Sequence, residues 1–382
     1  NIDSRNQVQL NYIHQNIWNF SNTLQESNPT IRLSYITNLD FSKKLDVLSG
    51  LNVAFGGEFR YENYEIKAGE EASYGLYDVN GGLVTGILPS TSPLIVTDFF
   101  GNKRGAGAQG FSGFQPSDAK EKDRQSGAAY IDLELNVTEK WLVNGAARYE
   151  NYSDFGSTVT FKLASLLKLT DNINWRISGQ TGFRAPSLHQ QYFNNIATDV
   201  VDGQILNSGI FRNDSEVAKQ LGIPKLKEET SRNYSFGVVF YPTKQLHIKA
   251  DYYHIRIDNR IILTGNLGND AFGDPVPELR DLFAQYGAQT GRFFTNAINT
   301  TTNGLDVVID YDLNLGKGKM NLSLLYNYND NKVDDQLNNI PSIFVGQEDV
   351  YYGPQERSLI ETNTPKHKGT FAVNYSLDKW NF

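Results

Sequence analysis

Residues able to grip a ligand gather in two polar stretches of the chain. The first, 67–122, holds Tyr74, Tyr77, Phe99, Phe100, Arg104, Phe111 and Phe114 among many glycines. The second, 185–228, opens with His189, Gln190, Gln191, Tyr192 and Phe193, directly after Arg184 and the strand-breaking Ala185-Pro186. Aromatic rings interleaved with amides and a guanidinium can stack on flat faces and hydrogen-bond at their edges, which suits a sugar or an aromatic chelator. The simpler reading of the same residues is a lid of loops packed on one another.

Covalent and metal chemistry find little support. The chain has no cysteine, so it has no thiolate nucleophile, sulfur metal site or disulfide frame. His14, His189, His247, His254 and His367 are scattered, and none pairs with another ligand at zinc spacing. The loop acids in "GNDAFGD" and "NKVDDQLNN" suit calcium in type, but turn-forming Asn and Asp explain both. "GFSGF" lacks the strand-turn-helix context of a nucleophile elbow, and no glycine-rich phosphate loop opens a helix. The expectation is a non-enzyme with no resident cofactor and no metal.

The elements that must position these residues are strands. In "YIDLELNVT", Ile131, Leu133, Leu135 and Val137 take one face while Asp132, Glu134 and Asn136 take the other. Trp175, Ile177, Thr181 and Phe183 likewise oppose Arg176, Ser178, Gln180 and Arg184. Leu305, Val307, Ile309 and Tyr311 oppose Asp306, Asp310 and Asp312. Strict period-two alternation over segments of about nine to twelve residues matches the span of a tilted membrane strand. Two segments change phase, near Tyr61–Tyr64 and Tyr252–Ile255, which predicts a β-bulge at each.

Connections alternate in length. "TEK", "TDN", "PTKQ" and "GKGK" are tight, whereas 67–122, 185–228, 262–291 and 329–363 are long. Trp141, Trp175, Tyr241 and Trp380 sit beside tight turns; Tyr61, Tyr149, Tyr152, Phe183 and Tyr328 sit near long loops. Short turns at one rim, long loops at the other and an aromatic band at each are what a transmembrane β-barrel predicts. Net charge is −8, from 35 basic and 43 acidic residues, which argues against a general nucleic-acid binder. No run approaches the roughly 18 apolar residues of a membrane helix.

"GFRAPSLHQQYF" resembles the strand-to-loop signature of the TonB-dependent receptors, active importers of bacterial outer membranes. "LNVAFGGEFRYENYEIKAGE", "EETSRNYSFGVVFYP", "DYYHIRIDNRI", "FFTNAINTTTNGLDVVIDYDL" and "TPKHKGTFAVNYSL" resemble further barrel segments, in family order. The resemblance covers nearly the whole chain. It implies an all-β fold: a partial antiparallel transmembrane barrel, with about 12 strands of the 22 or so in plugged transporters. Residues 1–28 read as the end of one strand and a loop. No stretch reads as a plug domain, so 1–382 is expected to be part of one barrel domain, with the plug and last strands outside it. Such a piece alone, with two unpaired edges, is expected neither to insert stably nor to transport.

The resemblance further implies an outer-membrane location and uptake energised by the TonB complex acting through the plug. It implies outer-membrane lipid and a small-molecule nutrient as partners, with no nucleic acid. A ferric siderophore is the expected cargo; a glycan or cobalamin is the alternative. The ligand would meet Tyr74, Tyr77, Phe99, Phe100, Arg104, Phe111, Phe114, Arg184, His189, Gln191 and Tyr192. Within the resemblance, "FRAP" reads either as a strand terminator alone or as placing Arg184 on the ligand path. Two other classes stay open: a passive porin-like channel and a surface β adhesion module. The direction of Ile131, Leu133 and Leu135 separates barrel from module, because a module buries them against a second sheet.

Overall fold

The computed structural model describes residues 3–15, 30–84, 92–97, 107, 113–201, 204–270, 272–377 and 379–381. The backbone is an antiparallel meander. β1 (Asp3–Gln15), β2 (Thr30–Leu45), β3 (Leu51–Ile66), β4 (Lys120–Thr138), β5 (Trp141–Tyr152), β6 (Gly156–Thr170) and β7 (Ile173–Arg184) pair in sequence. The chain then leaves the sheet through β8 (Asn195–Val201) and β9 (Gln204–Phe211). It rejoins the sheet beside β7 as β10 (Glu229–Phe240). The meander continues through β11 (Leu246–Leu263), β12 (Thr290–Leu315), β13 (Gly318–Val333), β14 (His367–Leu377) and the short β15 (Trp380–Asn381). The sheet path thus has 13 strands, one more than alternation suggests. The addition is the short β15, and Asp3–Gln15, expected as the end of a strand, is a full strand paired along its length with β2. No helix among the described residues is long and apolar enough to cross a membrane.

Alternation decides what each face meets. Ile131 and Leu133 on β4, Leu163 on β6, Ile177 on β7 and Phe236 on β10 are all exposed, with Leu163 63 % accessible. This apolar band is uncovered, which removes the adhesion-module reading. Trp141, Trp175, Tyr311 and Trp380 rim it at the tight-turn end, and Tyr35, Tyr149, Tyr234 and Tyr252 at the long-loop end, all exposed. Tyr152 does not belong to the outer band. It shares the polar face with Arg148 and Glu150 and is 9 % exposed.

The polar face is held by pairs that reach over an intervening strand. Arg176 on β7 and Asp251 on β11 both register with Gly237 on β10. Arg176 Nε donates to Asp251 Oδ1 at 2.7 Å across it. A Cβ on Gly237 would lie 2.1 Å from Asp251 and 2.5 Å from Arg176, so a side chain there would displace the pair. Gly56 and Gly304 repeat the device, beneath the Tyr130–Asp40 bond (2.6 Å) and the Asn329–Tyr253 bond (3.3 Å). Glycine weakens a strand, and here it marks close approach.

The expected bulges need correction. β3 keeps unbroken register with β2 and β4 from Leu51 to Ile66, so no bulge exists at Tyr61–Tyr64. The phase changes because the surroundings change. Toward the long-loop end the polar face of β3 is roofed by a loop, and its residues there, Tyr64 and Ile66, are 1 % and 2 % exposed. β11 is likewise regular through Tyr252–Ile255; its irregularity comes later, between Ile257 and Ile261, where Asn259 has φ 55°.

The long connections are not irregular coil. They contain α1 (Glu71–Tyr74), α2 (Leu188–Tyr192), α3 (Glu216–Gln220), α4 (Pro277–Ala284), α5 (Glu348–Tyr351) and α6 (Pro354–Glu361). β12 extends beyond the sheet, and Thr290–Phe293 pairs in parallel with β9. Phe211, Val217, Leu221, Phe283, Phe293, Ile298, Phe344 and Tyr351 form one buried core here, each 3 % exposed or less. The larger apolar core therefore lies in a cap over the long-loop end.

A charge on the exposed band has a predictable cost. Ile131→Arg in the membrane-inserted protein is expected to destabilise it by about 2–4 kcal/mol, the range for a cation at the bilayer midplane. Urea unfolding in lipid vesicles measures this. An unchanged midpoint would place Ile131 outside the bilayer.

Candidate functional site

The best-built site lies at the long-loop mouth of the polar face. Pro186 cannot donate to a ladder, so β7 ends at Arg184 and the chain turns. Ser187 then caps α2: its hydroxyl accepts from Gln190 N (3.1 Å), while Gln190 Oε1 accepts from Ser187 N (3.0 Å). This reciprocal capping box stabilises a helix of five residues.

α2 is also pinned from below. Arg124 on β4 donates to the Pro186 carbonyl (2.7 Å) and to Glu62 on β3 through Nε (2.8 Å) and a terminal nitrogen (2.7 Å). Its guanidinium lies 5.5 Å from the centre of the Tyr152 ring, 3.5 Å from Asp154, and its side chain is 5 % exposed. His189 packs 4.6 Å from Phe193 and shares a 3.1 Å hydrogen bond with the Tyr64 hydroxyl. Leu188 completes a buried cluster with Tyr64, Ile66 and Phe114.

A cavity of about 670 Å³ opens here. Five guanidinium groups (Arg32, Arg60, Arg124, Arg148 and Arg184) line it against the carboxylates Glu62 and Glu150. Their roles differ by partner. Arg124 is committed to Glu62 and Pro186, and Arg148 to Glu58 (3.1 Å) and Glu150. Arg184 touches only the edge of Glu229 (2.6 Å) and keeps 59 % of its side chain exposed. Arg32 is exposed, and among the described residues no carboxylate stands within ion-pair distance of it. Arg60 reaches Glu58 at 3.1 Å, while its Nε is buried with no partner among the described residues. The wall therefore presents unsatisfied cationic donors, suited to a bound anion.

Of the residues singled out in the sequence, Arg184, His189 and Gln190 line the cavity. Gln191 is beside them, donating to Asp154 (3.1 Å) and the Pro186 carbonyl (3.4 Å). Tyr192 lies under Lys122, whose ammonium is 5.6 Å from its ring centre. Phe114 is buried edge-on against Phe193 at 5.9 Å. Tyr74 ends α1, and Tyr77 donates to Glu71 (3.1 Å); neither lines the cavity. Phe99, Phe100, Arg104 and Phe111 are outside the described residues. Among the described residues, no group of three or more His, Asp or Glu is placed to hold a metal ion.

Sequence reasoning missed Arg32 and Arg124. Arg124 was legible: carrying the even-numbered polar face of β4 back from Glu134 and Asp132 places it inward. The 67–122 stretch, read as loop, hid that β4 begins at Lys120.

His189 makes the mouth sensitive to acid. Burial, with a smaller contribution from Arg32, lowers its pKa to about 4, from an ordinary value near 6.5. The folded site holds it neutral, so the unfolded form binds more protons between those values. Stability of the α2 contact is then full above about pH 6.5 and lost as pH falls toward about 4. Amide exchange over 187–193, corrected for intrinsic rates, is expected to speed up at pH 5, and His189→Gln to flatten the profile. Protection independent of pH in the native protein would contradict this.

Comparisons with known proteins agree with this architecture. A family model described as "TonB dependent receptor-like, beta-barrel" matches residues 1–382. A search of curated proteins finds no match. Among solved structures, the siderophore receptor PirA from Pseudomonas aeruginosa aligns with TM-score 0.53 and 12 % identity, covering 91 % of this chain and 51 % of that one. The FrpB iron transporter from Neisseria meningitidis (F5-1 variant, apoprotein form) aligns with TM-score 0.51 and 11 % identity, covering 92 % and 42 %. The FpvAI–pyocin S2 complex aligns with TM-score 0.51 and 12 % identity, covering 93 % and 38 %. The chain thus spans about half of these proteins or less. At such identities the likeness is one of fold, and the family follows from the full-length model match. Its exposed apolar band, aromatic rims and capped polar mouth are those of a bacterial outer-membrane barrel, and the chain belongs to the TonB-dependent receptor β-barrel family.

Proposed function

We propose that this chain forms the ligand-gripping part of a receptor for TonB-energised uptake of a scarce anionic nutrient complex, of the ferric siderophore type. The observation that carries the reading is the cavity of about 670 Å³ at the mouth, walled by five arginines and only two carboxylates. A cleft whose low-dielectric walls carry an excess of one sign raises the local concentration of an opposite charge and speeds its capture. Arg184 and Arg32 are the donors exposed to an incoming ligand, and the Arg60 Nε is a further donor in want of an acceptor. Arg124 and Arg148, already paired, hold the wall in shape. Two of the structures with similar folds are by name a siderophore receptor and an iron transporter, which favours this cargo over a glycan or cobalamin.

Binding at the mouth is the first step. Release inward requires the plug to be pulled by the energised inner-membrane complex, which is the TonB partnership of this reading. A porin-like channel needs neither step. The test is growth and uptake in intact cells, with and without the gene, on iron chelates or on glycans as the limiting nutrient. The expected result is an uptake defect on anionic iron chelates that collapsing the proton-motive force reproduces in gene-bearing cells. A defect only on a glycan, or uptake indifferent to the proton-motive force, would overturn the siderophore reading or the energised one respectively.

A further inference from the structure

A second cavity, of about 690 Å³, opens on the polar face over β11, β12 and β13. It shares no lining residue with the arginine-walled mouth. Its size falls in the range of about 300–1,000 Å³ usual for ligand pockets. The strand register lays out its floor. Tyr253 on β11 stands beside Gly304 on β12, and Gly304 beside Asn329 on β13. The next row toward the long loops is Ile255, Thr302 and Asn331; the next row the other way is Asp251, Asp306 and Asn327. The end of α6 and the chain just after it form a side wall with Ile360, Asn363 and Thr364. That wall is tied to β13, where Val333 N donates to Glu361 (2.9 Å) and Arg357 donates to the Val333 carbonyl (3.2 Å).

Tyr253 makes a platform in this floor. The outer end of its ring rests on Gly304, which is buried beneath it; a Cβ there would lie 2.0 Å from the ring. Its hydroxyl accepts from Asn329 Nδ2 at 3.3 Å, which tethers the ring and leaves its opposite face to the cavity. Around the platform stand donors and acceptors of both kinds. Thr302 donates to Asn331 Oδ1 (2.7 Å), so Asn331 Nδ2 is left as a donor. Asp306 accepts from Asn327 Nδ2 (2.6 Å) through one oxygen, and the other has no partner among the described residues. Arg260 donates to Thr300 at 3.3 Å, and among the described residues no carboxylate stands within ion-pair distance of it. Arg260 and Asp306 are the charged groups of the lining, one of each sign.

We infer that this cavity is a second binding site, separate from the mouth, for a neutral sugar. The balanced charge selects an uncharged ligand, whereas the mouth sets five arginines against two carboxylates. Each hydroxyl of a sugar both donates and accepts, which matches a wall where Asp306 accepts and Arg260 and Asn331 donate. The free face of Tyr253 carries the negative side of the ring quadrupole, and the polarised C–H face of a sugar ring stacks on it. An extended peptide would instead add to a sheet edge, and β12 is paired on both sides along this floor. Nothing in this site depends on anion binding at the mouth, so either can fail without the other.

Equilibrium titration of the full-length receptor, in a detergent without a sugar headgroup, tests this. The probes are short neutral oligosaccharides of glucose, galactose, mannose and N-acetylglucosamine. At least one is expected to bind saturably, with the same affinity at low and at high salt, because the ligand carries no charge to screen. Tyr253→Ala is expected to weaken it at least tenfold, and Tyr253→Phe to keep most of it, since the ring remains. N363A/T364A alters exposed positions that the fold does not need and should weaken binding severalfold. R32A/R184A should bind the sugar as the native receptor does. Heat-modifiable migration on gels checks that each variant is folded. Failure of every sugar to bind, or native affinity in both Tyr253→Ala and N363A/T364A, would overturn the inference. So would tighter binding of a neutral blocked tripeptide than of any sugar, or loss of sugar binding in R32A/R184A, which would move the sugar to the mouth.

Discussion

Replacing Arg184 and Arg32 together by alanine is expected to weaken binding of an anionic iron chelate to the full-length receptor by about 100-fold or more. Each charge-assisted hydrogen bond contributes roughly 1.5–3 kcal/mol, and about 1.4 kcal/mol is a factor of ten. The fold should survive. Glu229, left behind by Arg184, still accepts from the Ile261 amide at 2.8 Å, and Arg32 is exposed. Arg184→Lys keeps the charge but loses the planar fork, so it should fall between native and alanine. Equilibrium titration of the purified receptor measures all three. Native-like affinity in the double alanine variant would remove both residues from the ligand path.

The second large effect belongs to a residue that need not touch the ligand. Arg124→Met is expected to cost about 3–5 kcal/mol locally, the range for breaking a buried pair from one side. Glu62, the Pro186 carbonyl and Asp154 all lose a donor at once. α2 is the element that loosens, because its cluster of Leu188, Tyr64 and Phe114 is small. Faster amide exchange over 187–193 should accompany weaker ligand binding, while the exchange of β4 and β5 nearer the tight turns stays unchanged. If exchange over 187–193 does not move, Arg124 does not hold the mouth.

What was readable in the sequence follows from what the surroundings constrain. A bilayer demands an apolar residue at every second position, so β4, β7 and β12 announced themselves. The same rule misled near Tyr64, where a change of phase was taken for an extra residue. The backbone is regular there; the polar face passes from an open lumen to a roof built by Leu188 and Phe114. The cap was not legible. Helices such as Glu216–Gln220 and Leu188–Tyr192 span little more than one turn, too short for a period to appear. The cap's main core is assembled from loops distant in sequence, as where Phe211 stacks on Phe293 at 5.8 Å with Phe344 in the same cluster. The capping box of Ser187 and Gln190 could have been seen, since a serine followed three residues later by glutamine is a local signal. The site was half legible: Arg184 and His189 stand where the strand breaks, whereas Arg32, Arg60, Arg124 and Arg148 come together only through the lateral pairing of β2, β3, β4 and β5.

The most direct measurement compares two iron chelates matched in size, one anionic and one neutral, binding to the full-length receptor and to R32A/R184A at low and at high salt. A mouth built to bind an anion gives tight, salt-sensitive binding of the anionic chelate, weak binding of the neutral one, and a variant that no longer tells them apart. Equal affinity for both chelates in the native receptor, or full discrimination retained by the variant, would show that the arginines at the mouth do not choose the ligand.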